Sequence, residues 1–263
     1  MTAPDREGET PPRHGEAVAV APGVRRVTCA NPSPMTHTGT QSYLVGTGRE
    51  IALVDPGPDD PAHARALLAA LAPGSRVSAI LVTHSHRDHS AGARALAAET
   101  GAPVMAFGPH GAGMSEGMRG LAAREGAELG GGEGADAAFA PDVALADGET
   151  LAGEGWRIEA LHTPGHLSNH LSFLLHGAEG APQAVFTGDT VMGWATTLVS
   201  PPEGDMRQLM ASLGRLAALG APVFLPGHGA PVVDPAAHVA RQAAHRVARR
   251  DAIRAALAEG PAT

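Results

Sequence analysis

Short apolar runs, separated by clusters of glycine, proline and aspartate, make up most of this chain. Runs of this length between turn residues are typical of strands, whereas apolar residues three and four positions apart indicate helices. The predicted strands cover residues 24–29, 42–45, 51–54, 77–82, 103–107, 157–161, 171–176, 184–186 and 223–225. The predicted helices cover residues 61–71, 91–100, 206–219 and 235–257. Strands come first and then alternate with helices, twice over, which predicts an α/β sandwich of two sheets with helices outside.

The pattern divides the chain into a tail, one large domain and a terminal helix. Residues 1–16 are polar and proline-rich, and we expect a flexible tail there. Residues 17–234 are expected to form the large domain, and 235–263 a C-terminal helix with Asp234 as its N-cap. Residues 108–141 are rich in glycine and alanine, and we expect a lid or an insertion.

Composition narrows the classes of function. The 263 residues carry a net charge of -8 and a single cysteine, Cys29, so an intramolecular disulfide and a cysteine-rich zinc site are both excluded. An acidic chain disfavours binding to double-stranded DNA. The start lacks the apolar core of a secretory signal, and no apolar run approaches the ~20 residues of a membrane span. We therefore expect a cytoplasmic protein without a membrane partner.

The most informative stretch is LVTHSHRDHSAG, which follows the predicted strand 77–82. Because strands have a period of two, His84 and His86 project to the same side as the chain leaves that strand. Asp88 and His89 follow on the turn into the next helix. Imidazole and carboxylate groups suit zinc, iron or manganese. The spacing therefore predicts two ligands for one metal and two for a neighbouring one.

Three distant segments supply the same kind of side chain. TPGH contains His166, TGD contains Asp189 and PGHG contains His228, each after an apolar run and small turn residues. A lone histidine is more often a surface or core residue than a ligand, but this combination indicates metal binding. The residues alone do not decide which distant ligand joins which pair.

THSHRDH, TPGH, TGD and PGHG, in this order, resemble the metallo-β-lactamase superfamily. The resemblance implies an αββα sandwich of two mixed β-sheets with a catalytic two-metal site at one edge. It further implies two Zn²⁺ ions per chain, with iron or manganese left open, and a metal-bridging hydroxide that cleaves an ester, thioester or phosphodiester. The implied ligands are His84, His86 and His166 for the first metal, Asp88, His89 and His228 for the second, and Asp189 as the bridge. Asp88 and Asp189 would also orient the hydroxide.

A narrower resemblance rests on three segments, GTQSYLV, TGDTVMGWATTLVSPPEGDM and LPGHGAPV. These segments are similar to the β-lactamase-like-protein-2 branch, which cleaves single-stranded RNA and is related to glyoxalase II and ribonuclease Z. Gln41 and Ser42 depart from that branch, which has Asn and Thr there. The loop Trp194–Asp205 would lie beside the metals, and its Trp194 would either stack on a base or acyl group or pack internally. The end of the chain resembles the beginning of a winged-helix segment and stops where the branch would continue.

Several alternatives stay open. His170 is a candidate catalytic residue that would line the pocket or support a ligand by a hydrogen bond; otherwise it is only the polar start of a strand. The arginines at 246, 250 and 254 form one stripe of the last helix, either a solvated face or a clamp for an anionic substrate.

The reaction also has alternatives. One alternative function is that of a mononuclear iron enzyme resembling persulfide dioxygenases. Another is a non-catalytic binding module. True β-lactam hydrolysis is retained only as a minor activity, because the resemblance implies that Asp189 occupies the position where those enzymes have Cys or Ser. The expected substrate is a small molecule or single-stranded RNA, and the oligomeric state, including a homodimer, is left open.

Overall fold

The computed structural model describes residues 12–125, 134–258 and 260. The strands are β1 Ala17–Ala21, β2 Val24–Thr28, β3 Gln41–Val45, β4 Glu50–Val54, β5 Arg76–Leu81, β6 Val104–Ala106, β7 Val143–Ala144, β8 Thr150–Gly153, β9 Trp156–His162, β10 Leu171–His176, β11 Pro182–Gly188 and β12 Phe224–Pro226. The helices are α1 Pro61–Ala69, α2 Arg87–Ser90, α3 Ala93–Thr100, α4 Glu116–Glu125, α5 Met206–Ala217 and α6 Pro235–Ala258.

The strands form two mixed sheets. The first has the order β1-β2-β3-β4-β5-β6-β7, antiparallel from β1 to β4 and parallel from there to β7. The second has the order β12-β11-β10-β9-β8, in which only the β11–β12 pair is parallel. The two-sheet α/β sandwich predicted from the sequence is therefore confirmed.

Alternation along the strands gives three apolar layers. On β3, Tyr43 and Val45 point into the layer between the sheets, where they join Phe173 and Phe186 of the second sheet. The intervening Leu44 packs on the opposite face with α1 and α3. The outer face of the second sheet is covered by α5 and α6 in the same way. Because a strand places successive side chains on opposite faces, strands with both faces covered read as continuous apolar runs.

Buried side chains donate two of the hydrogen bonds that connect the sheets across the sandwich. The Tyr43 hydroxyl donates to the carbonyl oxygen of Pro226 over 2.6 Å, and the Trp156 indole N–H donates to the carbonyl oxygen of Glu50 over 2.9 Å. Both side chains are buried, so these bonds satisfy polar groups that would otherwise be costly inside the core. They fix the strand ends of one sheet against those of the other.

The sequence missed three strands, and all three lie at sheet edges. β1 and β7 are the two ends of the first sheet and β8 is one end of the second. Their side chains are largely half-buried or exposed, so they lack the apolar signature of interior strands. The expected lid or insertion at 108–141 contains α4 and lies between β6 and β7. Its residues 126–133 lie outside the described ranges, as does most of the predicted tail at 1–16.

The helix boundaries follow local chemistry. Asp234 accepts a hydrogen bond from the backbone N–H of Ala237 over 3.2 Å, which confirms it as the N-cap of α6. Asp205 caps α5 in the same manner, accepting from the backbone of Arg207 and Gln208. Within the described ranges, no helix combines the length and the apolar character that a membrane crossing needs.

Candidate metal centre

The carboxyl ends of β5, β9, β11 and β12 lie at one edge of the sandwich, and the loops that follow them carry the predicted ligands. The structure brings these residues into two groups whose potential ligand atoms lie within 4.8 Å of one another. The first group is His84, His86, His166 and Asp189, and the second is Asp88, His89 and His228. The grouping coincides with the one that the family resemblance implies.

In the first group, three imidazole nitrogens converge. Nδ1 of His86 lies 3.0 Å from Nε2 of His84 and 2.9 Å from Nε2 of His166. Oδ2 of Asp189 lies 3.6 Å from the same nitrogen of His166. Three ring nitrogens and one carboxylate oxygen thus face a common point, which is the number of ligands that a tetrahedral metal site uses.

The second group is equally compact. Nε2 of His89 lies 3.2 Å from Nε2 of His228, and Oδ2 of Asp88 lies 3.4 Å and 3.2 Å from these two nitrogens. Oδ1 of Asp189 is 3.5 Å from each of them. The two oxygens of Asp189 therefore face different groups, which is the arrangement that a bridging carboxylate requires.

The hydrogen bonds on the far side of each ring decide which nitrogens carry lone pairs. Nδ1 of His166 lies 2.8 Å from the carbonyl oxygen of Leu198, which can only accept, so Nε2 of His166 is the unprotonated nitrogen. Nδ1 of His89 lies 2.9 Å from Oδ2 of Asp55 and donates to it, which turns Nε2 of His89 toward the second group. Lone pairs and carboxylates thus point at each other, and Oδ1 of Asp189 is buried without a hydrogen-bond partner among the described residues. Such an arrangement is favourable only around cations, and these residues therefore fit divalent metals.

The two groups differ in their electrostatics. Burial, together with the neighbouring His166, lowers the pKa of His86 to about 3, and burial lowers the pKa of His84 well below its usual range. Burial also opposes protonation of His89, but the carboxylates of Asp88 and Asp189 outweigh it and raise the pKa to about 10. The histidines of the first group are therefore neutral at pH 7, whereas the second group attracts positive charge.

Asp55 is the functional residue that the sequence reasoning missed. It follows β4 in a left-handed conformation (φ 51°) and is 2% exposed. Besides His89, it accepts hydrogen bonds of 2.8 Å from both the backbone N–H and the hydroxyl of Thr83. That hydroxyl lies 2.9 Å from Nδ1 of His84, so one carboxylate orients a ring in each group. Its only sequence signal was an aspartate directly after the apolar run 51–54, without the small turn residues that precede Asp189.

His170 lies behind the metal centre. It is fully buried, and its Nε2 accepts the backbone N–H of Asp189 over 3.1 Å. Its ring stacks on that of His84, with centroids 5.0 Å apart. These contacts are those of a residue that positions ligands, which was one of the two functional roles predicted for it; direct action on a substrate stays a prediction.

The sequence predicted the role of Cys29 correctly but overlooked His110. Cys29 is buried, and burial and the nearby Asp60 raise the pKa of its thiol to about 12, in agreement with a packing role. His110, to which the sequence gave no role, lies 2.9 Å from the hydroxyl of Ser85 and 2.7 Å from a carboxylate oxygen of Glu203. It thereby ties the metal-centre loop to the segment before α5.

The chain matches the family described as the metallo-beta-lactamase superfamily over residues 35–228. It is 34% identical over 241 residues to an atrochrysone carboxyl ACP thioesterase of Aspergillus fumigatus. This alignment covers 90% of this chain and 65% of that protein. It is 32% identical over 232 residues to thioesterase pkgB of Emericella nidulans, which covers 87% and 57%. The chain therefore spans about two thirds or less of the length of these relatives.

Solved structures agree with this match. A beta-lactamase domain protein from Burkholderia ambifaria superposes with a TM-score of 0.74 at 25% identity, covering 97% of this chain and 84% of that one. A metallo-beta-lactamase family protein from Thermus thermophilus gives a TM-score of 0.70 at 27% identity, covering 93% and 86%. With the fold, the ordered motifs and the paired ligand groups all in agreement, the chain belongs to the metallo-β-lactamase superfamily.

Proposed function

We propose that the protein is a dinuclear metal-dependent hydrolase that cleaves a thioester. The superfamily and the thioesterase names of its relatives support a metal-dependent hydrolase. The observation that carries the dinuclear proposal is the Asp189 carboxylate, whose two oxygens face different ligand groups. The names of the relatives favour a thioester over the phosphodiester that the endoribonuclease-like branch would imply.

The residues define how such a site would work. A pair of divalent ions, when bound, supplies Lewis acidity and lowers the pKa of water from 15.7 toward about 7. Zinc suits this set of nitrogen and oxygen ligands, and iron or manganese remain compatible with it. His84, His86 and His166 would hold one ion, and Asp88, His89 and His228 the other. Asp55 holds the rings of His84 and His89 in place through its bonds to Thr83 and to His89 itself.

Asp88 is the carboxylate that is open to an incoming water. Its side chain is 28% exposed, compared with 10% for Asp189, and it lines a cavity of about 490 Å³. Burial opposes its ionisation, but His89 and His228 hold the pKa of Asp88 well below its usual range, so it can accept a hydrogen bond from water. In the net reaction, water oxygen joins the carbonyl carbon, the C–S bond breaks, and the sulfur leaves as a thiol. The products are a carboxylate, a thiol and a proton.

A substrate panel tests this proposal. We would assay protein loaded separately with zinc, manganese or iron against an acyl thioester, a lactone, a β-lactam, a bis-aryl phosphodiester and single-stranded RNA. We expect kcat/KM for the thioester to exceed that for every other substrate by at least about tenfold, equivalent to roughly 1.4 kcal/mol of transition-state stabilisation. We also expect a chelator to abolish turnover. Faster cleavage of RNA or of the phosphodiester would contradict the thioester assignment. Oxygen consumption with a persulfide by protein holding one iron would support the dioxygenase alternative instead.

A further inference from the structure

A second cavity, of about 350 Å³, lies between the loop after β11 and the C-terminal helix α6. Met35, Trp194 and Leu198 contribute apolar surface to it, and Arg246 and Arg249 of α6 line another side. Met35 is 60% exposed and Leu198 53%, which is unusual for large apolar side chains. The volume falls in the range of small-molecule sites, which begins at roughly 300 Å³.

The wall of this cavity is attached directly to the metal centre. The carbonyl oxygen of Leu198 accepts the hydrogen bond from Nδ1 of His166 over 2.8 Å, and the Thr197 hydroxyl lies 3.2 Å from the same nitrogen. Both residues line the cavity. A group bound there would therefore contact a residue that is itself hydrogen-bonded to His166, a predicted metal ligand.

The charge of the cavity opposes that of the chain. The whole protein has a net charge of -8, yet two guanidinium groups stand together here. Arg246 donates to the carbonyl oxygen of Thr197, and burial, with the adjacent Arg249, lowers its pKa. Among the described residues neither arginine has a carboxylate partner, whereas Arg250 on the same helix forms an ion pair of 2.7 Å with Asp251. Two such arginines beside an apolar wall match a ligand with an apolar body and one anionic group.

This pairing differs from the stripe expected from helical spacing. The helical spacing groups Arg246 with Arg250 and Arg254, but the two arginines that line the cavity are Arg246 and Arg249. A nucleic-acid strand would need a continuous basic track along its backbone. A short pair of charges next to Met35, Trp194 and Leu198 fits a small amphiphile better.

We propose that this cavity binds an apolar, anion-bearing part of the substrate and selects for it through Arg249. The inference rests on the proposed thioester hydrolysis for its biological meaning but not for its test. The anion is either a carboxylate on the acyl group or a phosphate on the thiol arm, and the two sources share the same recognition chemistry.

Binding can be measured without turnover. The chain has two tryptophans, of which Trp194 lines the cavity and Trp156 is buried in the core, so tryptophan fluorescence reports on occupancy. We would titrate wild type, Arg249→Gln and the control Arg241→Gln with decanoate, decyl phosphate and decanol. Arg241 is exposed on the same helix and does not line the cavity. Arg246 is left intact because it also holds the Thr197 loop.

We expect wild type and Arg241→Gln to bind at least one of the two anions about tenfold more tightly than decanol. Arg249→Gln should lose this preference, since a hydrogen bond to a charged group is worth about that factor. Tighter binding of decanoate assigns the anion to the acyl group, and tighter binding of decyl phosphate assigns it to the thiol arm. Equal binding of decanol, or an unchanged preference in Arg249→Gln, would overturn the proposal. Because no step depends on hydrolysis, these results are independent of whether the thioester assignment holds.

Discussion

Asp189→Asn should lower kcat/KM for the preferred substrate by at least about a thousandfold, or roughly 4 kcal/mol of transition-state stabilisation. The reason is geometric. Oδ2 of Asp189 faces His166, and Oδ1 faces both His89 and His228. An amide keeps the shape of the side chain but replaces one of the two oxygens by an NH₂ group, which cannot bind a metal as an acceptor. We therefore also expect the variant to retain fewer metal ions than wild type.

The fold should survive this substitution. Asp189 lies in a loop after β11, and its backbone N–H bond to His170 does not involve the carboxylate. Asp142→Asn provides a matched control, because Asp142 is 43% exposed and its carboxylate contacts the Arg94 guanidinium and the backbone N–H of Val104, neither of which belongs to a predicted ligand. Circular dichroism and thermal unfolding would verify the fold of both. Wild-type turnover and metal content in folded Asp189→Asn would rule out a bridging role.

Gly227→Ala should damage the metal centre by adding a single methyl group. Gly227 stands between Pro226 and His228, and a Cβ there would lie 2.5 Å from a ring carbon of His89 and 2.7 Å from Oδ1 of Asp189. Both of these side chains are buried, and His89 is held by Asp55, so neither can move without disturbing the ligand geometry. We expect kcat/KM to fall by about 100-fold, as for a misplacement of about 1 Å. Overpacking should also cost about 1–3 kcal/mol of stability.

Gly214→Ala is the corresponding control. Gly214 lies within α5, and a Cβ added there would meet no atom of the described residues within 4 Å. Alanine is the better helix former, so we expect unchanged kinetics and a stability gain of up to about 1 kcal/mol. Metal content, kcat/KM and melting temperature should be measured for both variants. A Gly227→Ala protein with the metal content and kinetics of wild type would show that the site tolerates the added methyl and that this packing does not set its geometry.

Much of the fold can be predicted from the sequence, because interior strands are covered on both faces and therefore consist mostly of apolar residues. Strands such as β5 and β10 are mostly apolar runs, and their identification needs no tertiary information. β1, β7 and β8 have no such signature, because edge strands pair on one side and leave many side chains near solvent. α4 was hidden by the glycines in its sequence, which lower helix propensity.

The candidate site divides in a similar way. Four candidate ligands can be recognised by their close spacing in the sequence: His84, His86, Asp88 and His89. The three distant ligands can be recognised because each follows an apolar run and a short turn. The pairing of distant ligands with local ones depends on which strand ends are adjacent, and only the family resemblance supplied it. Asp55 bonds to residues far away in sequence, and Arg249 lines a cavity together with such residues, so no local pattern distinguishes them from an ordinary turn aspartate or a solvated arginine. Such residues are found only once the sheets are assembled.

We propose that this edge of the sandwich holds two divalent ions that share Asp189. The most direct measurement is the metal content of the purified protein, determined by inductively coupled plasma mass spectrometry after removal of loosely bound ions and compared with Asp189→Asn. We predict close to two ions per chain in the wild type, predominantly zinc, and a loss of at least one in the variant. One iron per chain without zinc in the wild type, or an unchanged metal content in the variant, would contradict a two-metal site bridged by Asp189.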